Sequence, residues 1–394
     1  MTMTDAAADA AVPRGLKGVI VAETELGDVR GLEGFYHYRQ YSAPELAAVR
    51  TFEDVWYLLF EGELPTKAAR DEYARRIAAQ RQLPPELAEL LPALAAGHPH
   101  PLAALRTALS QLAAIEGMPP TYDADPETIR SNALRLGAAT PVLIAGLHRA
   151  SLGLPLLEPR ADLGHAANYL WMIDGEVPDP RRARAVEQYL ILGIDHGFNA
   201  STFTARVVTS TGADVGAAVV AALGALSGPL HGGAPSRALD TLDAIGTPER
   251  TEQWVRDAVA GGDRIMGFGH AVYKTADPRS VMLRDIARSL PRSMGGARVD
   301  FAVQVEATVE RVLAELKPGR ELHTNVEYYA GVVMEQCGIP RELFTSTFAA
   351  SRVVGWCAHV LEQATETAII RPSARYVGPE PPAPVPDPSE SSRR

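Results

Sequence analysis

The chain has 394 residues, 46% of them hydrophobic and 22% charged, enough for one large or two linked globular domains. Its formal net charge of −10 argues against a nucleic-acid partner, whose binding rests on neutralising phosphates, but leaves room for a small anionic substrate where basic residues are concentrated. Aromatic residues are scarce at 6% and alanine and leucine abundant, which favours packed helices over a sandwich or barrel.

In chain order, residues 1–14 are expected to be disordered, and they lack the apolar stretch of a secretion signal. Val19 to Ala22, Val29 to Gly31 and Phe35 to Tyr38 are β-like pieces that predict a small hairpin. From Ser42 the pattern turns helical, with one helix to about Arg50. A second opens at Thr51 with Val55, Leu58 and Leu59 on one face, and Thr66 caps a third. Further helices run to about residue 230, punctuated at Leu83-Pro84-Pro85, Gly117 to Pro120, Gly153 to Pro155 and Val177 to Pro180. The run Val215 to Leu226 is too short to span a bilayer, and its small-residue-rich part Ala217 to Leu226 predicts a buried central helix that delivers His231 at its C-terminal break. Residues 233–338 read as a more charged block of shorter helices. The apolar stretch from 339 (Phe344, Phe348, Val353, Val354, Trp356) rejoins the first core. The expectation is therefore a mainly α fold with a minor N-terminal β-hairpin. A discontinuous large helical domain, 15–232 and 339–377, would carry a smaller inserted helical domain at 233–338, with a cleft between them. The Pro/Glu/Ser-rich tail 378–394 is expected to be disordered.

Cys337 and Cys357 lie in apolar helical context and read as buried, reduced thiols, so the chain is expected in the cytoplasm and away from any membrane. His98 and His100 have no matching metal-ligand partners, and no metal site is expected. His148 and His165 read as satisfied core or surface histidines. Trp56, Trp171, Trp254 and Trp356 read as core residues.

Three segments carry chemistry. In Arg264 to Arg279, Gly267 and Gly269 permit close approach or positive φ, His270 suits proton transfer near neutrality, and Lys274 and Arg279 add positive charge. His231 stands in Gly228-Pro229-Leu230-His231-Gly232-Gly233, and Glu327 in His323-Thr324-Asn325-Val326-Glu327. Read alone, Thr324-x-x-Glu327 also fits a capping box and His231 a helix C-cap. The pair Gly267-x-Gly269 lacks the third glycine and preceding strand of a dinucleotide-binding turn. Arg352 lies among apolar residues, where burial without an anionic partner is costly.

The ordered set of motifs resembles the citrate synthase family. It comprises Gly228 to Gly233, Gly267 to Val272 with Lys274 and Asp277-Pro278-Arg279, Asn325 to Gly331, Ser351 to Trp356 and Arg371-Pro372, with Asp195-His196 and Asn199-Ala200-Ser201 upstream. The resemblance spans about residues 18–378. It implies condensation of an acyl-CoA, usually acetyl-CoA, with oxaloacetate, followed by hydrolysis of the citryl-type thioester, with no cofactor. Glu327 would take the base position, His231 the enol-stabilising position and His270 the ketone side. His196, Arg279, Arg352 and Arg371 would hold the dicarboxylate, since guanidinium forks suit carboxylates. Arg371 would reach the neighbouring subunit's site, implying a homodimer. Lys274 and the stretch Gly267, Phe268, Gly269, Ala271 would contact CoA.

Three departures from the family pattern stand out. The base position usually holds aspartate, and one extra methylene moves a carboxylate by about 1 Å, a displacement that can cost about 10²-fold in rate. Gly193-Ile194-Asp195-His196-Gly197 replaces the usual His-x-Asp-His-Glu, and Ala234-Pro235 replaces Ala-Asn. The alternatives are a 2-methylcitrate synthase using propionyl-CoA and a weakly active or non-catalytic binder of CoA or dicarboxylates.

Overall fold

The computed structural model describes residues 12–98, 100–229, 231–232, 235–270 and 272–385. The expectation of disorder for 1–14 and 378–394 therefore falls largely outside the described residues. Within them Arg14–Leu16 form a 3₁₀ turn. Val19 to Ala22 form no strand; the β structure is a three-stranded antiparallel sheet of β1 (Gly27–Arg30), β2 (Phe35–Tyr38) and β3 (Tyr41–Ser42). Gly27 pairs with Tyr38 and Arg30 with Phe35. Ile20 is 90% exposed, so the apolar run that suggested a strand has no sheet partner.

The helices follow the punctuation. α1 (Ala43–Val49), α2 (Phe52–Glu61) and α3 (Lys67–Ala79) start at Ser42, Thr51 and Thr66, whose side chains each accept a backbone N–H of the first turn. Thr51 and Asp54 close a reciprocal capping box. Then come α4 (Pro85–Gly97), α5 (Pro101–Ile115), α6 (Pro126–Ser151), α7 (His165–Asp174), α8 (Pro180–Gly193), α9 (Ala200–Thr209) and α10 (Val215–Leu226). α11 (Pro235–Ile245), α12 (Thr251–Ala260), α13 (Pro278–Ser289), α14 (Gly296–Leu316) and α15 (Val326–Gln336) pack largely on one another, with α11 and α13 against α15 and α12 against α14. α14, at 21 residues, is among the longest helices, so this block is not built of short helices only.

The helix at the centre is α16 (Phe344–Gln363), not α10. Every residue from Ala349 to Val360 is buried, the polar Ser351, Arg352 and His359 included, and α16 packs against α6, α9, α10, α8 and α2. On α10 the small residues Ala217, Val220, Ala221 and Gly224 are only half-buried, which leaves one apolar face of that helix at the surface. Trp56 and Trp356 are fully buried and Trp171 and Trp254 partly so; Cys337 and Cys357 are free and buried. His165 is in the core, stacked on Phe52 at 4.7 Å, but neither ring nitrogen has a partner, unlike the satisfied histidine expected. Among the described residues no helix is long and apolar enough to cross a membrane.

Two contacts position the loop after α8. The Tyr38 hydroxyl donates to the carbonyl of Ile191 at 2.8 Å, which also takes the Ile194 N–H at 3.4 Å, and Tyr36 donates to that of Leu192 at 3.2 Å, both in the last turn of α8. Gly355 of α16 lies against the Ile194 carbonyl so closely that a Cβ there would collide with it. Asp195-His196 is thus held between sheet and central helix.

Candidate active site

One cavity of about 470 Å³ brings the sequence-predicted groups together: His196, His231, His270, Arg279, Glu327, Arg352, Gly267, Phe268 and Gly269 all line it. Lys274 and Arg371 do not; both are exposed and lie outside the lining, and Ala271 falls outside the described residues. Among the described residues no cluster of three or more His, Cys, Asp or Glu side chains is placed to hold a metal.

Glu327 enters from the first turn of α15. Asn325, not Thr324, is the N-cap, its Oδ1 accepting the Glu327 N–H at 3.1 Å, so the capping-box reading fails. The Glu327 carboxyl is left free to face the cavity. Burial pushes it up to about 7, against the pull of the Arg279 charge and with a further push from Asp277. A carboxyl near 7 is matched to a general base at neutral pH.

His231 sits five residues beyond the end of α10, in the turn closed by its own N–H to the Gly228 carbonyl at 2.9 Å, and does not cap the helix; Ser227 does. Its Nε2 is 2.8 Å from the hydroxyl of Ser201, which also receives Trp356 Nε1–H at 3.2 Å and donates to Asn199 Oδ1 at 2.7 Å. Asn199 Oδ1 also accepts the N–H groups of Ser201 and Thr202. Ser201 has a single hydrogen, and it goes to Asn199 Oδ1 because a carbonyl oxygen only accepts, so the neutral His231 ring donates Nε2–H to the Ser201 hydroxyl and carries no hydrogen on Nδ1. Burial, helped by the Arg352 charge, pushes His231 down to about 4.

His270 is oriented by its own loop. Its Nδ1 accepts the N–H groups of Val272 and Tyr273, both at 3.1 Å, so the neutral ring carries its hydrogen on Nε2. Nε2 lies 3.3 Å from Arg279 Nη2, and two donors side by side suit one anionic oxygen. Burial first, then the Arg279 charge, pushes His270 down to about 4, so both catalytic candidates are neutral at pH 7. The loop needs its glycines. Gly267 and Gly269 have φ of +88° and +82°, and a Cβ on Gly267 would lie 2.9 Å from the Tyr328 ring.

The guanidiniums are held from behind. Arg279, 3% exposed, is forked onto Asp277 through Nε at 3.0 Å and Nη2 at 2.8 Å. Asp277 also caps α13 and accepts the Val326 N–H at 3.2 Å, tying Arg279 to the helix of Glu327. Arg352, 2% exposed, donates through Nε to the Gly193 carbonyl at 2.8 Å and stacks 4.6 Å over Phe348, which leaves its outer nitrogens for the cavity. His196 Nε2 is 3.0 Å from the Tyr273 hydroxyl, and its ring centroid is 5.8 Å from that of His270.

Several residues without an assigned role complete the site. Ser201 and Asp277 stood inside quoted motifs, and an Asp before Pro-Arg is a legible N-cap signal. Arg264, at the head of the glycine stretch, lines the cavity and adds a cation there.

The arrangement offers one carboxyl, three imidazoles that burial keeps neutral and two buried arginines around one space, which fits proton abstraction and carbon–carbon bond formation on a dianion. A family profile described as "Citrate synthase, C-terminal domain" matches residues 15–373. The citrate synthase of Deinococcus radiodurans is 37% identical over 93% of this chain and 96% of its own length. A 2-methylcitrate synthase of Mycobacterium tuberculosis is 38% identical over 94% and 91%. The solved citrate synthase of Thermoplasma acidophilum, in ternary complex with carboxymethyl coenzyme A and oxaloacetate, superposes with a TM-score of 0.87 at 29% identity, covering 96% of this chain and 99% of that one. With a matching profile over most of its length and relatives well above 30% identity, the chain belongs to the citrate synthase family.

Proposed function

We propose that the protein condenses acetyl-CoA with oxaloacetate and hydrolyses the resulting citryl-CoA to citrate and CoA. The observation that carries this reading is the convergence of His231, His270 and Glu327 with Arg279 and Arg352 on one cavity. The carboxylate of Glu327 takes a proton from the carbon next to the thioester carbonyl. His231, anchored through Nε2 on the Ser201 hydroxyl, stands beside the thioester oxygen and stabilises the enol. The enol carbon attacks the ketone carbon of oxaloacetate, and the ketone oxygen takes the Nε2 hydrogen of His270. Water then cleaves the thioester to a carboxylate and a thiol. His196, Arg279 and Arg352 hold the two carboxylates, and no cofactor is required. Arg264 would meet the CoA phosphates from the cavity, exposed Lys274 would add a cation beyond it, and the backbone of 267–270 would lie along the CoA.

Residues 233–338 would act as a small domain closing on the large one, which excludes water until the carbon–carbon bond has formed. The half-buried apolar face of α10 and the exposed position of Arg371 support a homodimer in which Arg371 completes the partner's dicarboxylate site. Two free buried thiols support a cytoplasmic location.

The equally similar 2-methylcitrate synthase keeps propionyl-CoA as a second reading, because one methylene in an apolar pocket discriminates by only about 1–3 kcal/mol. Thiol release with oxaloacetate and either thioester tests both. Faster release with acetyl-CoA supports the first, faster release with propionyl-CoA the second, and none with either contradicts both.

A further inference from the structure

Thr324 lies where three parts of the site meet. Its backbone forms an isolated antiparallel bridge with Phe268, flanked by Gly269 N–H to the His323 carbonyl at 2.8 Å and Asn325 N–H to the Gly267 carbonyl at 2.9 Å. The segment before α15 is thus laced to the loop that carries His270. Its hydroxyl accepts from Ser280 Oγ at 2.9 Å, one residue after Arg279, and donates to Glu306 Oε1 at 2.9 Å. Each hydroxyl carries one hydrogen, and the chain runs in the order Ser280 to Thr324 to Glu306. All three residues are buried, with 1%, 5% and 7% exposure. Glu306, from α14, also takes the Tyr329 hydroxyl at 2.6 Å and Arg284 at 3.4 Å.

We propose that the Ser280–Thr324–Glu306 chain is a joint that sets the base Glu327 in register with His270 and Arg279, with Glu306 and Thr324 as positioning residues. The proposal rests on the catalytic reading above. Thr324 stands three residues before Glu327 and Ser280 next to Arg279, so one hydroxyl chain fixes both helix starts relative to the glycine loop. In a low-dielectric interior such a chain holds geometry tightly, since each member left unpaired is costly. Thr324→Val keeps the shape of the side chain and removes both bonds. Tyr329→Phe removes a bond of similar length to the same carboxylate but touches neither loop.

The experiment measures kcat, both KM values and the melting midpoint for Thr324→Val, Thr324→Ser and Tyr329→Phe. Thr324→Val is expected to lower kcat about 10- to 100-fold, the cost of a misplacement near 1 Å. Thr324→Ser should return kcat to within about threefold of the parent, and Tyr329→Phe should lower the midpoint while leaving kcat within about twofold. If Thr324→Val and Tyr329→Phe lower the midpoint alike and both keep kcat, the chain is structural only and the joint is refuted. Ser280→Ala, which changes one buried atom, covers the case of a valine variant that does not fold. Calorimetry should show its oxaloacetate affinity weakened at least about threefold through Arg279, and unchanged affinity overturns the proposal. That reading needs no turnover, so a parent enzyme inactive with both thioesters fails the assigned reaction and leaves the joint still decided by binding.

Discussion

Replacing Glu327 by glutamine separates its chemistry from its effect on stability. Burial moves this carboxyl from the ordinary 4.5 to about 7. At about 1.4 kcal/mol per tenfold change in proton affinity, the site favours the neutral over the charged form by about 3 kcal/mol. A folded-state value above the unfolded one means that the native protein binds more protons between pH 4.5 and 7. The ionised group therefore costs stability that grows as pH rises through this window and is fully present above it. Glutamine is neutral at every pH. Glu327→Gln should then stabilise the protein at pH 8 by up to about 3 kcal/mol, a gain of a few degrees in melting midpoint. Near pH 4.5 the gain should nearly vanish, because the native carboxyl is protonated there. All other titrating groups are shared by the two proteins and cancel in the difference. Turnover should fall about 10²- to 10⁴-fold with the base removed. Melting curves from pH 4.5 to 8.5, alongside thiol release, make the test. A gain independent of pH, or a loss at pH 8, would refute a desolvated carboxylate at this position.

Other expectations follow from the same geometry. Ser201→Ala removes the hydroxyl that anchors His231 through Nε2; kcat should fall about 10²-fold with oxaloacetate affinity unchanged by calorimetry, and an unchanged kcat would exclude Ser201 from holding the imidazole. Arg352→Lys loses the Nε bond to Gly193 and the planar fork, so the KM for oxaloacetate should rise at least about tenfold while that for the thioester holds. The ascending limb of kcat/KM against pH should have its midpoint near 7, with the histidines already neutral; a midpoint near 4.5 would remove the burial effect. Gly355→Ala forces the Ile194 carbonyl away from α16, and should cost about 1–3 kcal/mol in denaturant unfolding together with weaker dicarboxylate binding through His196.

Helix boundaries were legible where local chemistry decides them. Thr51, Thr66 and Asp277 cap the helices that their side chains announce, and the Pro and Gly clusters fall at helix breaks. His231, His270 and Glu327 were legible as candidates because each sits in a short motif, and that of His270 carries two glycines whose positive φ the loop requires. Contacts between distant segments were not. Composition favoured α10 as the central helix, since small apolar residues fit either a core or a packing face, and only the assembled fold shows α16 in the middle. Val19 to Ala22 has strand-like residues but no neighbouring strand to pair with. Glu306 stands 18 residues before Thr324 on an amphipathic helix, where a carboxylate reads as a solvated charge until Tyr329 and Thr324 are seen to point at it. Ser201 likewise gains meaning only when His231, 30 residues on, is brought to its hydroxyl.

The most direct test is CoA thiol release by the purified parent chain and its Glu327→Gln variant, supplied with oxaloacetate and acetyl-CoA or propionyl-CoA in turn. The arrangement of acid, imidazoles and arginines predicts release from the parent that requires both substrates and is nearly abolished in the variant, which still binds oxaloacetate. Equal release by both proteins, or none by the parent with either thioester, would contradict it.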